Sequence, residues 1–237
     1  MMMKKEPSII YEDPDILVCR KEAGTAVQSA RVGQMDLESL LKIYLARKNP
    51  GREPYLGIIQ RLDQPVEGIL VFARNPQTAA KLNGQLQQGK MKKEYLAAVE
   101  GIPGKKSDVL ENYLIKDGRS NTSRIGKKTE AGAKKAVLEY ETLIEGDNKA
   151  LLRVKLHTGR HHQIRVQLSG LGYPLLGDVK YGAGSHGDLW EAGEKQRAIG
   201  LCAWKVGFFH PKTGKWMEFQ NQPQGEIFRE FCKNLPV

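Results

Sequence analysis

Hydrophobic positions along this chain alternate between strand-like and helix-like spacing, and this pattern predicts a fold of mixed elements. Two short β-prone runs flank the turn-forming residues 12–15, which is typical of an opening hairpin. Apolar side chains at residues 37–45 then recur at helical spacing, with Asp36 as a cap and Pro50-Gly51 as a stop. The predicted fold therefore begins with a hairpin followed by a helix.

The remaining pattern predicts further strands and helices without a regular βαβ alternation. Asn75-Pro76 is a cap followed by proline at the first helical position, which predicts a helix to about Gln87. Strands are predicted at residues 69–73, 93–101 and on both sides of the turn at 210–214, and a helix is predicted over residues 158–172, with Thr158 near its start. The fold class is therefore α+β, with a mixed, mostly antiparallel β-sheet core flanked by helices. No domain-dividing linker occurs, so we expect one domain over residues 1–237.

A lysine-rich stretch at residues 126–135 offers little to bury. One interpretation is a solvated hairpin tip, and the other is a loop that contacts phosphates. The sequence pattern leaves both interpretations open.

Charge and composition narrow the functional classes. The 237 residues carry a formal net charge of +10, which favours a polyanionic partner such as nucleic acid. No apolar run approaches the roughly 20 residues that span a bilayer, and the first residues lack the apolar region of a signal peptide. We therefore expect a cytoplasmic protein without membrane attachment. Cys19, Cys202 and Cys232 are far apart in sequence, and we expect reduced, buried thiols.

The sequence motifs give little support for a metal site, a nucleotide-binding site or a hydrolase active site. His157 and His161 have the i, i+4 spacing of two metal ligands on a helix, but no third ligand accompanies them, so we expect no metal. These histidines, with His162, are more consistent with phosphate contacts or with packing at a helix start. The glycine motifs of dinucleotide and nucleoside triphosphate sites are absent, as is the nucleophile elbow of the α/β-hydrolases.

A single carboxylate, Asp63, remains as the candidate reacting group. It lies two residues after Arg61, and Tyr95 and Arg165 are further candidates for the same site. Neighbouring arginines favour the charged form of a carboxylate, which suits a nucleophile or base and equally suits a structural ion pair. The residues alone leave both roles open.

The stretch "QRLDQPVEGILVFARN" resembles the aspartate signature of the RluA-type pseudouridine synthases. Four further stretches resemble motifs of that family in the same order, so that the similarity extends over about residues 9–219. They are "YEDPDILVCRKEAG", "KKEYLAAVEG", "LHTGRHHQIRVQLSGLGYPLLGDVKYG" and "LCAWKVGFFHPKTGKWMEF". The chain is identified on these residues as similar to that family.

The resemblance implies the pseudouridine synthase catalytic fold and an isomerase that turns uridine into pseudouridine in structured RNA, with no cofactor. Asp63 falls on the catalytic aspartate and Tyr95 on the tyrosine that stacks on the uracil. Arg165 falls on the basic residue that pairs with the aspartate, Arg61 on the arginine associated with the space the base vacates, and Leu176 near an apolar wall of the base pocket. Base flipping needs an aromatic stacking partner and a basic channel, which the charge supplies.

The resemblance leaves several points open. Asp63 either attacks the anomeric carbon or abstracts a ribose proton, and the RNA is either ribosomal or transfer RNA. An RNA-binding or RNA-remodelling protein with dispensable or lost catalysis is the alternative function. We expect a monomer without an accessory N-terminal RNA-binding domain.

The sequence departs from the family pattern at a few positions. These are Glu22 for the usual Pro, Gln28 and Gln60 for His, Glu67 for a small hydroxyl residue, and His161 for Thr. Gln60 keeps hydrogen-bonding capacity but lacks a titratable ring, and we expect the replaced His to have been structural.

Overall fold

The elements follow the order that the hydrophobic pattern predicts. The computed structural model describes residues 6–29, 33, 35–182 and 198–232. Its strands are β1 (Ser8–Glu12), β2 (Ile16–Lys21), β3 (Gly57–Ile58), β4 (Glu67–Ala73), β5 (Lys92–Glu100), β6 (Ser107–Asp117), β7 (Thr122–Gly126), β8 (Lys134–Glu145), β9 (Lys149–Leu156), β10 (Leu201–Phe209) and β11 (Trp216–Gln220). Its helices are α1 (Leu37–Lys48), α2 (Pro76–Gln87), α3 (Gln163–Gly170) and the short α4 (Arg229–Cys232), which follows a 3-10 turn at Glu226–Phe228.

Helices α1 and α2 begin at the predicted caps. The Asp36 Oδ1 atom accepts a hydrogen bond from the Ser39 backbone N–H at 2.8 Å, and the Asn75 Oδ1 atom accepts one from the Thr78 N–H at 2.8 Å. Each cap satisfies an N–H group that has no partner inside the helix. Local sequence therefore determines where both helices start.

The chain divides into two compact units. Unit 1 comprises Met1–Lys92 and Ala203–Asn221, and unit 2 comprises Lys93–Cys202 and Gln222–Val237. Unit 1 is thus built from two separate segments of the chain, whereas the sequence predicted one domain. That prediction of a single domain stays a prediction.

Unit 1 is a sheet with helix α2 packed on it. Its strands lie in the order β1-β2-β4-β10, with β3 on β4 and β11 on β10. The pairings β1–β2, β2–β4, β3–β4 and β10–β11 are antiparallel. Ile69 and Val71 of β4, Leu82 of α2 and Phe208 of β10 belong to one buried cluster. Burial of these side chains supplies the main driving force for folding this unit.

Gly68 permits strand β4 to approach the backbone of β10 closely within unit 1. Its φ is +128°, and a Cβ atom there would lie 2.4 Å from the backbone N and O atoms of Ala203. A contact that short is sterically impossible without moving β4 or β10. Glycine is therefore required at this position, immediately after the Asp63 loop.

Gly68→Ala should lower the free energy of unfolding by about 3 kcal/mol, because the new methyl group adds backbone strain and overpacks a strand contact. Urea denaturation followed by circular dichroism measures the change. Gly84→Ala is the matched control, since a Cβ at Gly84 meets nothing within 4 Å and alanine favours the helix. Equal stabilities for the two variants would contradict the steric argument.

Unit 2 is a second run of antiparallel strands. Their order is β5-β9-β8-β6-β7, and each neighbouring pair is antiparallel. Leu114, Ala136 and Val166 form a small buried cluster beneath α3, with Tyr181 packed against it. Together with unit 1, this arrangement confirms the predicted α+β class with a mostly antiparallel sheet.

The lysine-rich stretch connects β7 to β8, which lie on opposite sides of β6 and do not pair with each other. Lys127 and Lys128 are exposed, and Glu130 stabilises this connection by accepting a hydrogen bond from the Lys127 N–H and pairing with Arg124. The interpretation as a hairpin tip was therefore wrong, because β6 lies between the two strands that this stretch connects. The phosphate contact stays a prediction.

Helix α3 begins later than the spacing predicts. The prediction placed Thr158 near the helix start, but residues 157–162 form a loop, and α3 begins at Gln163. The Gln163 Oε1 atom accepts hydrogen bonds from the Thr158 hydroxyl and the Arg160 N–H, which stabilise the loop instead of a helical turn. The predicted start was therefore wrong because a side chain competes for the backbone groups.

The three cysteines are reduced thiols, and two of them are buried as expected. Cys19 and Cys202 lie in strands of the sheet, and burial raises the pKa of Cys19 to about 12. Cys232 is exposed, so the expectation that it is buried was wrong. It lies in the last turn of the short helix α4, where one side of the chain faces solvent.

Candidate active site

Asp63 lies in the loop that connects β3 to β4. The buried side chains of Leu62 and Val66 anchor this loop, while Asp63 is half-buried and Arg61 is exposed. The Asp63 carbonyl accepts a hydrogen bond from the Val66 N–H at 3.0 Å, which makes the turn tight. The loop therefore holds the carboxylate between apolar anchors.

Lys21 is a fully buried cation at the base of this loop. Its ammonium group donates hydrogen bonds to the backbone carbonyls of Glu22 (3.1 Å), Thr25 (2.7 Å) and Gln64 (2.9 Å). These three acceptors match the three N–H donors of an ammonium group. Because Gln64 directly follows Asp63, Lys21 fixes the backbone next to the candidate reacting group.

A second pair of hydrogen bonds joins the same two segments. The Gly24 N–H donates to the Gln64 carbonyl at 2.8 Å, and the Gln64 side-chain amide donates to the Gly24 carbonyl at 2.9 Å. The end of β2 and the Asp63 loop are therefore joined on both sides of Gln64. Such a bridge restricts the positions that the Asp63 carboxylate can take.

Burial also changes the protonation of Lys21. Desolvation lowers its pKa to about 7, although the carboxylates of Asp63, Glu67 and Glu22 act in the opposite direction. Glu67 is itself buried at the start of β4. Glu67, which departs from the family pattern, thus offsets part of the desolvation free energy of buried Lys21.

Lys21→Met should destabilise the protein by about 3 kcal/mol, because three carbonyls each lose a hydrogen-bond donor and the cation near buried Glu67 is removed. The lysine pKa is lower in the folded state than in the unfolded state, so wild-type stability gains from this residue as pH rises from about 7 towards its unfolded value. The loss in the variant should therefore grow over that range. Urea denaturation at several pH values measures this loss of stability. Lys90→Met, at an exposed lysine, is the control. A loss of stability that becomes smaller towards high pH would contradict the prediction.

Gln60, which replaces the histidine of the family pattern, has few hydrogen-bond partners. Its Nε2 atom lies 3.5 Å from the Ile69 carbonyl, a long hydrogen bond, and its Oε1 atom is buried with no hydrogen-bond partner within the described ranges. An amide in this setting packs against β4 and adds no titratable group.

One cluster of potential metal ligands occurs among the residues described, and its atoms already bond to one another. It contains Asp13, Asp15 and His210. The His210 Nδ1 atom accepts from the Lys212 and Thr213 N–H groups, so its Nε2–H donates to Asp13 Oδ2 at 2.9 Å. The cluster is therefore a hydrogen-bonded clasp between two turns of unit 1.

The i, i+4 spacing of His157 and His161 does not place them on one helix. His157 is exposed and His161 lies in the loop before α3, so the two do not share a helix. His161 stacks on His162 with 3.7 Å between ring centroids, and its Nδ1 atom lies 2.9 Å from the Ser123 hydroxyl. The alternative of packing at the helix start is confirmed for buried His162, whose Nδ1 atom lies 2.7 Å from the Tyr181 hydroxyl.

Arg165 is held rigidly in unit 2. It lies on α3, is 3% exposed, and forms a fork with Asp178 in which its Nε and Nη2 atoms each lie 2.7 Å from a carboxylate oxygen. The guanidinium also lies over the Tyr181 ring, 5.1 Å from its centroid. Two parallel charge-assisted bonds fix the plane of the guanidinium.

Asp178, the partner of the candidate site residue Arg165, is a residue that sequence reasoning missed. Its side chain is fully buried and also accepts the Lys180 N–H at 3.0 Å. The sequence feature that could have indicated it is that Asp178 is the only acidic residue in the stretch "LLGDVKYG", thirteen residues after Arg165.

Tyr95 and Leu176 lie in the same unit as Arg165. Tyr95 is buried on β5, at 8% exposure. The Leu176 N–H donates to the Ala98 carbonyl of the same strand at 2.9 Å, so the half-buried Leu176 lies next to β5. Unit 1 thus contributes Arg61 and Asp63, and unit 2 contributes the other three predicted residues. Their grouping into one site stays a prediction.

Comparisons with known proteins agree with the motifs. The model of a family described as RNA pseudouridylate synthase matches residues 15–170. An uncharacterised RNA pseudouridine synthase of Aquifex aeolicus (strain VF5) is 33% identical over 222 residues, which cover 90% of this chain and 68% of the relative. The ribosomal large subunit pseudouridine synthase D of Zymomonas mobilis subsp. mobilis (strain ATCC 31821 / ZM4 / CP4) is 32% identical over 219 residues, which cover 89% of this chain and 67% of the relative.

A solved structure shares the fold. Human RNA Pseudouridylate Synthase Domain Containing 1 superposes with a TM-score of 0.74 at 23% identity, covering 94% of this chain and 86% of that chain. In the described part of this chain, no helix has the length and apolar character needed to cross a membrane.

The family match includes the positions of Asp63, Tyr95 and Arg165, which carry the sequence resemblance. Two relatives above 30% identity extend it over about nine-tenths of the chain. The chain therefore belongs to the RNA pseudouridylate synthase family, in its RluA-type branch, and is an isomerase that acts on RNA.

Proposed function

We propose that this protein converts specific uridines of structured RNA into pseudouridine, with Asp63 as the catalytic residue. The observation that carries the proposal is the Asp63 loop, which buried Lys21 ties to β2 through the Gln64 carbonyl. A loop held in this way keeps a reacting carboxylate in one position, which is the usual requirement for covalent or general-base catalysis.

The reaction breaks the bond between ribose C1′ and uracil N1, turns the base, and joins C1′ to uracil C5. Asp63 begins it, by attack on C1′ or by removal of a ribose proton. Proton loss from C5 and proton gain at N1 then complete an isomerisation with no net change in composition. No redox partner is needed, so the proposal includes no cofactor.

The other site residues receive the roles that the family pattern implies. Tyr95 stacks on the flipped uracil and accepts the C5 proton, Arg165 pairs with Asp63, and Leu176 forms part of the apolar wall. Arg61, which is exposed, enters the space that the base leaves in the RNA. Buried Asp178 supports this assignment because it fixes the guanidinium of Arg165.

The substrate is ribosomal or transfer RNA. The name of the Zymomonas relative supports testing large-subunit ribosomal RNA first. The net charge of +10 suits either RNA, because each lysine or arginine that neutralises a phosphate releases counterions.

Conversion of unmodified transcripts tests the proposal. Transcripts of large-subunit ribosomal RNA and of transfer RNAs, labelled with tritium at uracil C5, are incubated with the protein, and released tritium and pseudouridine positions are measured. Release from one or a few positions is expected. Binding without release from any transcript would favour the alternative, an RNA-binding protein on the same scaffold.

A further inference from the structure

Lys93 shares a face of strand β5 with Tyr95. Side chains two residues apart in a strand point to the same side, and their Cα atoms lie roughly 7 Å apart. Lys93 is half-buried in this position. Glu94, between them, belongs to the opposite face and pairs in register with Lys155 of β9. The face that carries the proposed uracil-stacking residue therefore also carries a cation.

The Lys93 ammonium group lies beside the loop that leads into α3. Its Nζ atom is 3.5 Å from the position that a Cβ atom would occupy on Gly159. The ionisable side chains of this loop are exposed His157 and Arg160, half-buried His161 and buried His162. The Arg160 Nε–H donates to the Lys135 carbonyl. No acidic side chain of this loop faces the ammonium.

Among the residues that the structure describes, Lys93 has no counterion. In the described portion of the chain, its ammonium forms neither a hydrogen bond nor an ion pair, and burial alone lowers its pKa. Lys21 differs, because three carbonyls accept hydrogen bonds from its ammonium. A partly desolvated cation without a partner is costly, so its retention indicates an external anion.

We propose that Lys93 binds the backbone phosphate of the target uridine while Tyr95 stacks on its base. This proposal rests on the proposed function and adds a residue to the RNA site. The distance between the Lys93 and Tyr95 side chains along β5 is similar to the distance between the base and the phosphate of one nucleotide. Phosphate would supply the charge that the protein does not provide at Lys93.

Salt dependence of RNA binding gives the first test. The probe is a synthetic RNA hairpin that carries the uridine converted in the tritium assay, and all proteins carry Asp63→Asn so that no turnover occurs. Lys93→Met should weaken binding about five- to twentyfold at moderate salt and reduce the slope of log K against log salt by about 0.7 to 0.9. Exposed Lys92→Met is the matched control, with affinity within about twofold.

Neutralising single phosphates gives the second test. Methylphosphonate is placed on the 5′ or the 3′ side of the target uridine in the same hairpin. One of the two positions should weaken binding of the Lys93-containing protein and have no further effect on Lys93→Met. Equal losses in both proteins at both positions would overturn the proposal, as would an unchanged salt slope.

Kinetics and stability separate this role from a structural one. In the otherwise wild-type enzyme, Lys93→Met should raise KM and leave kcat within about twofold, because phosphate binding is the same in the ground and transition states. Its unfolding temperature should be equal or higher, since a buried charge is removed. If the methionine variant does not fold, Lys93→Gln is compared in the methylphosphonate test instead.

The two proposals fail in different ways. Absence of tritium release by the wild-type protein contradicts the proposed function. Normal release by Lys93→Met with an unchanged KM contradicts only the phosphate role of Lys93.

Discussion

Asp63→Asn should abolish tritium release from uracil C5, with a loss on the order of 10⁴-fold or more. The amide is nearly the same size as the carboxylate but can neither attack C1′ nor remove a proton. Because Asp63 is half-buried in a loop whose backbone is held at Gln64, the variant should keep the loop conformation. RNA affinity should therefore stay within a few-fold of the wild type.

The measurements are tritium release and filter binding with the same transcript. Asp147→Asn, in the exposed turn between β8 and β9, is the matched control and should release tritium at the wild-type rate. Undiminished release by Asp63→Asn would refute the assignment of Asp63.

Arg165→Met should lower both stability and activity. The substitution leaves the fully buried Asp178 carboxylate without its partner, which typically costs 3–5 kcal/mol, so we expect a loss of about 4 kcal/mol. Activity should fall by at least about a hundredfold in the fraction that stays folded, because the proposed partner of Asp63 is missing. Urea denaturation and tritium release measure the two effects.

A double variant separates the two contributions of Arg165. Arg165→Met with Asp178→Asn removes the uncompensated charge and keeps an acceptor for the Lys180 N–H, so most of the lost stability should return. Activity should stay low, because the guanidinium is still absent. A double variant that is as active as the wild type would show that Arg165 serves only to neutralise Asp178.

The features predicted correctly from sequence have causes that lie within a few residues. Asp36 and Asn75 cap helices because each bonds to an N–H three residues later, and this spacing can be read from the sequence. The predicted start of α3 was wrong because of a hydrogen bond of the same local kind, which here favours a loop over a helical turn. There, the Gln163 side chain bonds to the preceding loop, and the helical spacing of apolar residues gave no indication of that competition.

The parts of the candidate site that sequence reasoning missed depend on long-range contacts. Lys21 is buried because the Gln64 carbonyl, 43 residues later, accepts from it, whereas composition places most lysines at the surface. Asp178 is a single acid whose role becomes clear only when α3 places Arg165 beside it. Motif resemblance located Asp63, but it did not show what holds the loop.

The clasp between Asp13 and His210 also has a consequence for synthesis on the ribosome. These residues lie 197 positions apart, and unit 1 needs its second segment, Ala203–Asn221, to be complete. A nascent chain therefore exposes the apolar edge of β4 until residues 203–221 have been translated. Closure of so long a loop is entropically costly and should come late in folding. The candidate catalytic loop should thus reach its final conformation only after strands β5 to β9 of unit 2 have been translated.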